Sequence, residues 1–413
     1  MDKISEACFL AKIEEVLTRY VDKIYPSKEA LEKVLRSGKK LTFYHGIDPT
    51  GPHLHLGHST NLLLMRRLQF LGHKIIFLVG SFTARIGDPS DKDATRKPLT
   101  RKQIEDNLKT YKEQANKIID LKGPNPVLIK FNSEWLDKLT LEEMFKLAAN
   151  FTVQQIIERD LFQKRIKANK PISLHEFLYP LLQGYDSVAM NVDGEIGGTD
   201  QTFNMLAGRL LVQKYLGKEK FVITTPLLVN PKTGKKLMSK SEGTYIALDN
   251  LPNDMYGKVM ALPDETIIPC FELCTEVPLQ IIKEHEKALS ARGGQAGKVN
   301  PMEIKKKLAF EIVKMYSSEK DAKNAEKEFK RVFQKREIPS KVPTFQTPQK
   351  SYNIIDLLVE TGLAPSRSEA KRLVEQKAVE LDEKLITNHQ SLITIKDGMT
   401  IRVGKRRFIK IRL

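Results

Sequence analysis

Residues 40–82 read KLTFYHGIDPTGPHLHLGHSTNLLLMRRLQFLGHKIIFLVGSF, and the change of pattern within this stretch decides the fold. KLTFYHGID and KIIFLVGSF are short runs rich in β-branched and aromatic residues and broken by glycine, as buried strands are. Between them LHLGHSTNLLLMRRLQFLG has the apolar spacing of a helix and closes on Gly72. Strand, helix and strand in succession predict a parallel sheet with helices on its faces. The connecting segment, DPTGPHLHLGH, spends three histidines, two prolines and two glycines, more than a plain turn requires. If the strand ends near Asp48 and the helix starts near Leu54, His55 and His58 share one face of the first turn. Unpaired N–H groups there favour an anion. Two imidazoles would add donors to a phosphate, and Gly57 lets a flat ring lie against the backbone. Alone, this spacing suits structural histidines equally well.

The chain has 413 residues, 41% hydrophobic and 29% charged, which suits two or three globular domains. No run approaches the ~20 apolar residues of a membrane span. The opening MDKISEACFLAKIEEVLTRY, with Asp2, Glu6, Glu14 and Glu15, reads as an amphipathic helix and not as a signal peptide. Cys8, Cys270 and Cys274 give no disulfide framework and no metal-ligand set, so a reducing, cytoplasmic setting is expected. The net charge is +17 and unevenly placed. Residues 279–413 carry 29 Lys/Arg against 17 Asp/Glu, whereas the first 278 carry 39 against 34. A basic C-terminal third suits a nucleic-acid partner; solvated lysine-rich helix faces are the plainer alternative.

Further along, helices are predicted from about Arg101 to Leu121 and from Leu141 to Lys167, and a strand at KFVITTPLLV. Residues 250–335 read as helical, with a loose ARGGQAG loop. REIPSKVPTFQTPQK (336–350) reads as a linker. Beyond it, YNIIDLLVETG and SRSEAKRLVEQ are short helices, the second opened by a capping box from Ser366 to Glu369. AVELDEKLI and ITIKDGMTIRV…RRFIKIRL are strand-like and end in six basic residues between Arg402 and Arg412.

A second motif, TGKKLMSKSEGTYIAL, places Lys235, Lys236 and Lys240 beside Ser239 and Ser241. Lysines among small hydroxyl residues make a mobile clamp for a polyphosphate, closing as negative charge builds on the leaving group. In isolation a solvated charge run reads the same. Both motifs in one chain, in this order, resemble the two nucleotide-binding signatures of class I aminoacyl-tRNA synthetases. YHGIDPT, IGDPS, YPLLQGYD and GGTDQTFN are similar to motifs of the tyrosyl-tRNA synthetases, in that family's order. The resemblance runs through nearly the whole chain, including a tail similar to the small RNA-binding domain of the bacterial-type enzymes.

The resemblance implies an α/β architecture. A Rossmann-like parallel-sheet catalytic domain with a dimer-forming insertion would span 1–229, and the lysine loop with an α-helical tRNA-binding domain 230–335. A linker at 336–350 and a small α+β RNA-binding domain at 351–413 would complete it. It implies that Tyr44 and Asp186 hydrogen-bond a substrate phenol. Asp88, Tyr179 and Gln183 would hold the ammonium group and Gln201 the carboxylate, with Asn132 a lesser candidate for the same pocket. Asp48, Gly198 and Asp200 would lie along the ATP ribose and the adenylate. Thr50, His55, Gly57 and His58 would meet the phosphates, with Ser239 and Lys240 on the clamp and Lys92 and Arg96 on a second mobile segment. Asp186 as a helix cap and Tyr179 as core are the structural alternatives.

The implied activity is that of a tyrosine–tRNA ligase, using ATP with Mg²⁺, L-tyrosine and tRNA(Tyr). A homodimer would form along the stripe LEEMFKLAANFTVQQIIERDLFQ, though a buried helix within one subunit has the same periodicity. Two positions depart from the family pattern. Leu237 stands where the first clamp lysine is expected, which leaves Lys235 or Lys236 for that place. Glu195 replaces a common glutamine and has no assignable role. A small-molecule adenylating enzyme has no use for the tail. A non-catalytic RNA-binding descendant would have lost phosphate and tyrosine residues, and a tryptophanyl enzyme would not pair Tyr44 with Asp186.

Overall fold

The computed structural model describes residues 3–89, 99–238, 245–290, 300–334, 342–382, 384–404 and 407–413. The chain divides into two units, Met1–Glu319 and Lys320–Leu413.

The first unit is built on a six-stranded sheet: β1 (Lys23–Tyr25), β2 (Thr42–Ile47), β3 (Lys74–Val79), β4 (Leu128–Phe131), β5 (Gly194–Gly198) and β6 (Phe221–Thr225), in spatial order β1-β6-β5-β2-β3-β4. Five strands are parallel, and β1 adds to the edge of β6 antiparallel. The central strands are covered by helices on both faces: β5 and β6 are buried throughout, and β3 beyond its first residue. Helix α1 (Leu56–Phe70) joins β2 to β3 and ends where Gly72 takes φ +80°, a left-handed position that glycine adopts without strain. α2 (Tyr179–Ala189) and α3 (Thr202–Leu216) carry the chain around β5. They approach closely at Gly184, where an added Cβ would lie 3.1 Å from the Gly208 nitrogen.

Two predicted long helices are broken. Arg101–Leu108 and Tyr111–Ala115 replace the first. The second is three pieces, Leu141–Ala148, Val153–Ile157 and Asp160–Lys167. The cause of the second break is local: Thr152 accepts from the Gln155 N–H while the Gln155 side chain accepts from the Thr152 N–H, a capping box that starts a new helix.

In the second unit a five-stranded sheet runs Lys384–Leu385, Val379–Leu381, Thr400–Val403, Arg407–Arg412, Thr344–Gln346 in spatial order. Helices Ile354–Glu360 and Arg367–Glu375 pack on it around Ile354, Leu357, Leu358, Val374, Val379, Ile401 and Ile411, all fully buried or nearly so. Thr344–Gln346 lies within the stretch expected to be linker, yet pairs in parallel with Arg407–Arg412. Three residues are too few to show a periodicity among prolines.

Candidate active site

β2 connects onward to one side of the sheet and β5 to the other. In open α/β sheets ligands bind beyond the carboxyl ends of strands at such a point. A cavity of about 1520 Å³ opens there, large enough for an amino acid and a nucleotide together.

One end of the cavity is the start of α1. The helix begins at Leu56, so His55 is its N-cap and His58 its third residue. The His55 backbone N–H donates to His58 Nδ1 at 3.0 Å, so that nitrogen carries no hydrogen and a neutral His58 keeps it on Nε2. The two rings stack 3.7 Å apart. A Cβ on Gly57 would sit 3.1 Å from the His55 ring, so the bare backbone lets that ring lie flat. Thr50 lines the same end.

The segment after the lysine loop is stitched to this helix start. The Leu56 N–H donates to the Ile246 carbonyl at 3.0 Å and the Leu248 N–H to the Leu54 carbonyl at 2.9 Å. His53 Nδ1 meets both Asp249 carboxylate oxygens, at 3.0 and 2.9 Å. The two sequence motifs are therefore one assembly. Lys235 and Lys236 both line the cavity, and Lys236 Nζ donates to Asp200 Oδ2 at 2.9 Å. Lys92, Arg96, Ser239 and Lys240 lie outside the described residues.

The middle of the cavity is a chain of carboxylates and amides. Asp48, beyond β2, accepts from Thr83 at 2.7 Å and from the Tyr179 hydroxyl at 3.0 Å. Gly80 is required beside it, since a Cβ there would come within 1.9 Å of Asp48 Oδ1. Gln201 donates to Asp88 at 2.6 Å. Asn204 donates to both Gln201 and Gln183, and Gln183 to Glu195. Gly198, where β5 ends, lets the chain pass close to Asp200.

The far end is deeply buried. Asp186 on α2 accepts from Trp135 Nε1 at 2.7 Å and Asn132 Nδ2 at 3.3 Å. Burial pushes its carboxyl well above the usual range, while these two donors oppose the shift. Tyr44 on β2 shares a hydrogen bond of 2.9 Å with Ser187. Burial also pushes its hydroxyl well up, helped by the charges of Glu195 and Asp186. Beneath it lies a wholly buried ion pair, Lys220 with Glu195.

All the expected residues among those described therefore border one cavity, with Asp186 facing two N–H donors and not a helix end. The sequence pattern missed Glu195, Lys220, Ser187, Asn204, Trp135, His53 and Asp249. Two of these had a visible signal: a charge inside the otherwise uncharged strand GEIGG, and one directly before the neighbouring strand FVITT. The others have none in sequence; His53 and Asp249 are 196 residues apart.

The profile of the tRNA synthetases class I (W and Y) matches residues 36–334, and that of the tyrosine–tRNA ligase SYY-like C-terminal domain residues 334–411. The tyrosine–tRNA ligase of Thermotoga maritima is 44% identical over 397 residues, covering 96% of each chain. This chain belongs to the tyrosine–tRNA ligase family. A second member, from Moorella thermoacetica, is 42% identical over 97% of this chain and 96% of its own. In fold, the family resemblance extends to more distant structures. The tyrosyl-tRNA synthetase of Archaeoglobus fulgidus complexed with L-tyrosine has a TM-score of 0.57 at 19% identity, over 77% of this chain and 99% of its own. A C-terminally truncated mitochondrial enzyme from Aspergillus nidulans has 0.63 at 18%, over 80% and 100%.

Proposed function

We propose that the chain is a tyrosine–tRNA ligase that activates L-tyrosine with ATP and transfers it to the 3′ end of tRNA(Tyr). One observation carries the reading: a single cavity joins a buried hydroxyl-seeking end, Tyr44 and Asp186, to a helix start bearing His55 and His58. The tyrosine carboxylate attacks the α-phosphorus, a P–O bond to the β-phosphate breaks, and pyrophosphate leaves. The terminal ribose hydroxyl of the tRNA then attacks the adenylate carbonyl and AMP leaves. No protein nucleophile is needed, so catalysis rests on positioning and on charge aimed at the departing phosphates.

In this reading Tyr44 and Asp186 hold the phenol, with Asn132 supporting Asp186. Asp88, Tyr179 and Gln183 hold the ammonium group and Gln201 the carboxylate. Asp48, Gly198 and Asp200 lie along the ribose and adenylate. Thr50, His55, Gly57 and His58 meet the phosphates. Lys236, Ser239 and Lys240 act on the pyrophosphate, helped by Lys92 and Arg96. The carboxylates nearest this end are already bonded, Asp48 to Thr83 and Tyr179, Asp200 to Lys236. Mg²⁺ entering with ATP would be held mainly by the phosphate oxygens and would spread their charge.

ATP–pyrophosphate exchange by the purified chain with tyrosine, phenylalanine or tryptophan tests the first step, and charging of added tRNA the second. Exchange with tyrosine alone is expected; none with any of the three by folded protein overturns the reading.

The assembly is a homodimer in the cytoplasm, with the basic C-terminal third on the tRNA. Among the described residues no helix is long and apolar enough to cross a membrane. Leu141, Phe145 and Val153 stand 70%, 65% and 63% exposed, large apolar side chains of the kind that an interface buries. Phe145→Glu is expected to convert a wild-type dimer to monomer in sedimentation; a wild type already monomeric at micromolar concentration, or an unchanged variant, refutes that interface.

A further inference from the structure

Lys220 has no exposed surface. Its ammonium meets the Glu195 carboxylate, Ser187 Oγ at 2.7 Å and the Met205 carbonyl at 3.3 Å. It lies 5.6 Å from the centre of the Tyr44 ring. Gly208 makes the room, since a Cβ there would come within 2.5 Å of the ammonium and 2.9 Å of Ser187 Oγ. A buried ion pair stabilises a fold little better than apolar residues of the same size, so stability alone does not account for it.

We propose that the Lys220–Glu195 pair sets the direction of the hydrogen bonds beneath the tyrosine pocket, so that Tyr44 donates to the substrate's phenolic oxygen. Lys220 and Ser187 are then positioning residues for amino-acid choice. An ammonium only donates, so Lys220 occupies a lone pair of Ser187. The Ser187 hydrogen, buried, needs an acceptor, and Tyr44 Oη is placed for it at 2.9 Å. The Tyr44 hydrogen then turns to the cavity. Its rival acceptor is Glu195, which also hydrogen-bonds the Tyr44 hydroxyl. Lys220 on one oxygen and Gln183 on the other, at 3.0 Å, each take a lone pair of that carboxylate, which weakens its hold on the Tyr44 hydrogen when a phenol arrives. A phenol then receives the Tyr44 hydrogen and gives its own to Asp186. Phenylalanine does neither.

The inference rests on the tyrosine-activating reading. Ser187→Ala cuts the relay and leaves the ion pair intact. In pyrophosphate exchange the ratio of kcat/KM for tyrosine over phenylalanine is expected to fall about tenfold, through KM for tyrosine, with KM for ATP unchanged. Lys220→Met combined with Glu195→Gln leaves no lone buried charge, and the same loss is expected. If the double variant does not fold, Ser187→Ala decides alone. An unchanged ratio in an active Ser187→Ala variant, or an equal loss for ATP, overturns the inference. Wild-type protein inactive with tyrosine overturns the activity reading, and this inference with it.

Discussion

His55→Ala is expected to slow adenylate formation on the order of 10²-fold while changing tyrosine affinity less than about twofold. The ring lies at the start of α1, the end proposed for ATP, stacked on His58, whereas Tyr44 and Asp186 close the other end among Ser187, Trp135 and Asn132. A donor that matters only as charge builds on the phosphates contributes to the rate and not to ground-state tyrosine binding. Alanine keeps the His55 backbone N–H that His58 Nδ1 accepts from, so the second imidazole retains that anchor while losing the ring stacked on it. Single-turnover adenylate formation and equilibrium tyrosine binding separate the two quantities. A loss of tyrosine affinity as large as the loss of rate would remove His55 from the phosphates.

The second large effect is on selectivity. Asp186→Asn is expected to lower the preference for tyrosine over phenylalanine about 10²-fold, mainly by weakening tyrosine. Trp135 and Asn132 already direct N–H groups at the two carboxylate oxygens. An amide in the same place must set its own NH₂ against one of those donors or turn it toward the phenol, and either arrangement spoils an acceptor. A pocket built to bond a hydroxyl rejects the analogue without one because its polar groups are left unpaired, and tyrosine enzymes are the standing example of that rule. Exchange kinetics with both amino acids give the ratio; a ratio equal to wild type would take Asp186 out of the phenol pocket.

How much of this was legible depended on whether the determinant was local. β2, α1 and β3 follow from one stretch of patterned sequence, and His55 and His58 fall at the helix start because strand and helix periods meet there. The helix was nevertheless expected two residues early: leucine at 54 fits the apolar pattern, but the chain there still pairs with Leu248. The Leu141–Lys167 stripe kept its helical period through a break that Thr152 and Gln155 encode, so periodicity alone overran a capping signal present in the sequence. Lys220 and Glu195 were hidden differently. A lone charge in or beside an apolar strand carries no address for its partner, and only the parallel pairing of β5 with β6 brings the two together.

The stitching of Leu54–Leu56 to Ile246–Leu248 bears on how the protein is made. Contacts this distant in sequence form late, because the ends of a long loop must first be brought together. A chain growing from its N-terminus completes His55 well before Ile246 leaves the ribosome. The end of the cavity drawn from β2, α2 and β5 is therefore assembled earlier in synthesis than the end at the start of α1. On the proposed reading, the nascent chain would present an amino-acid pocket before it has a finished nucleotide site.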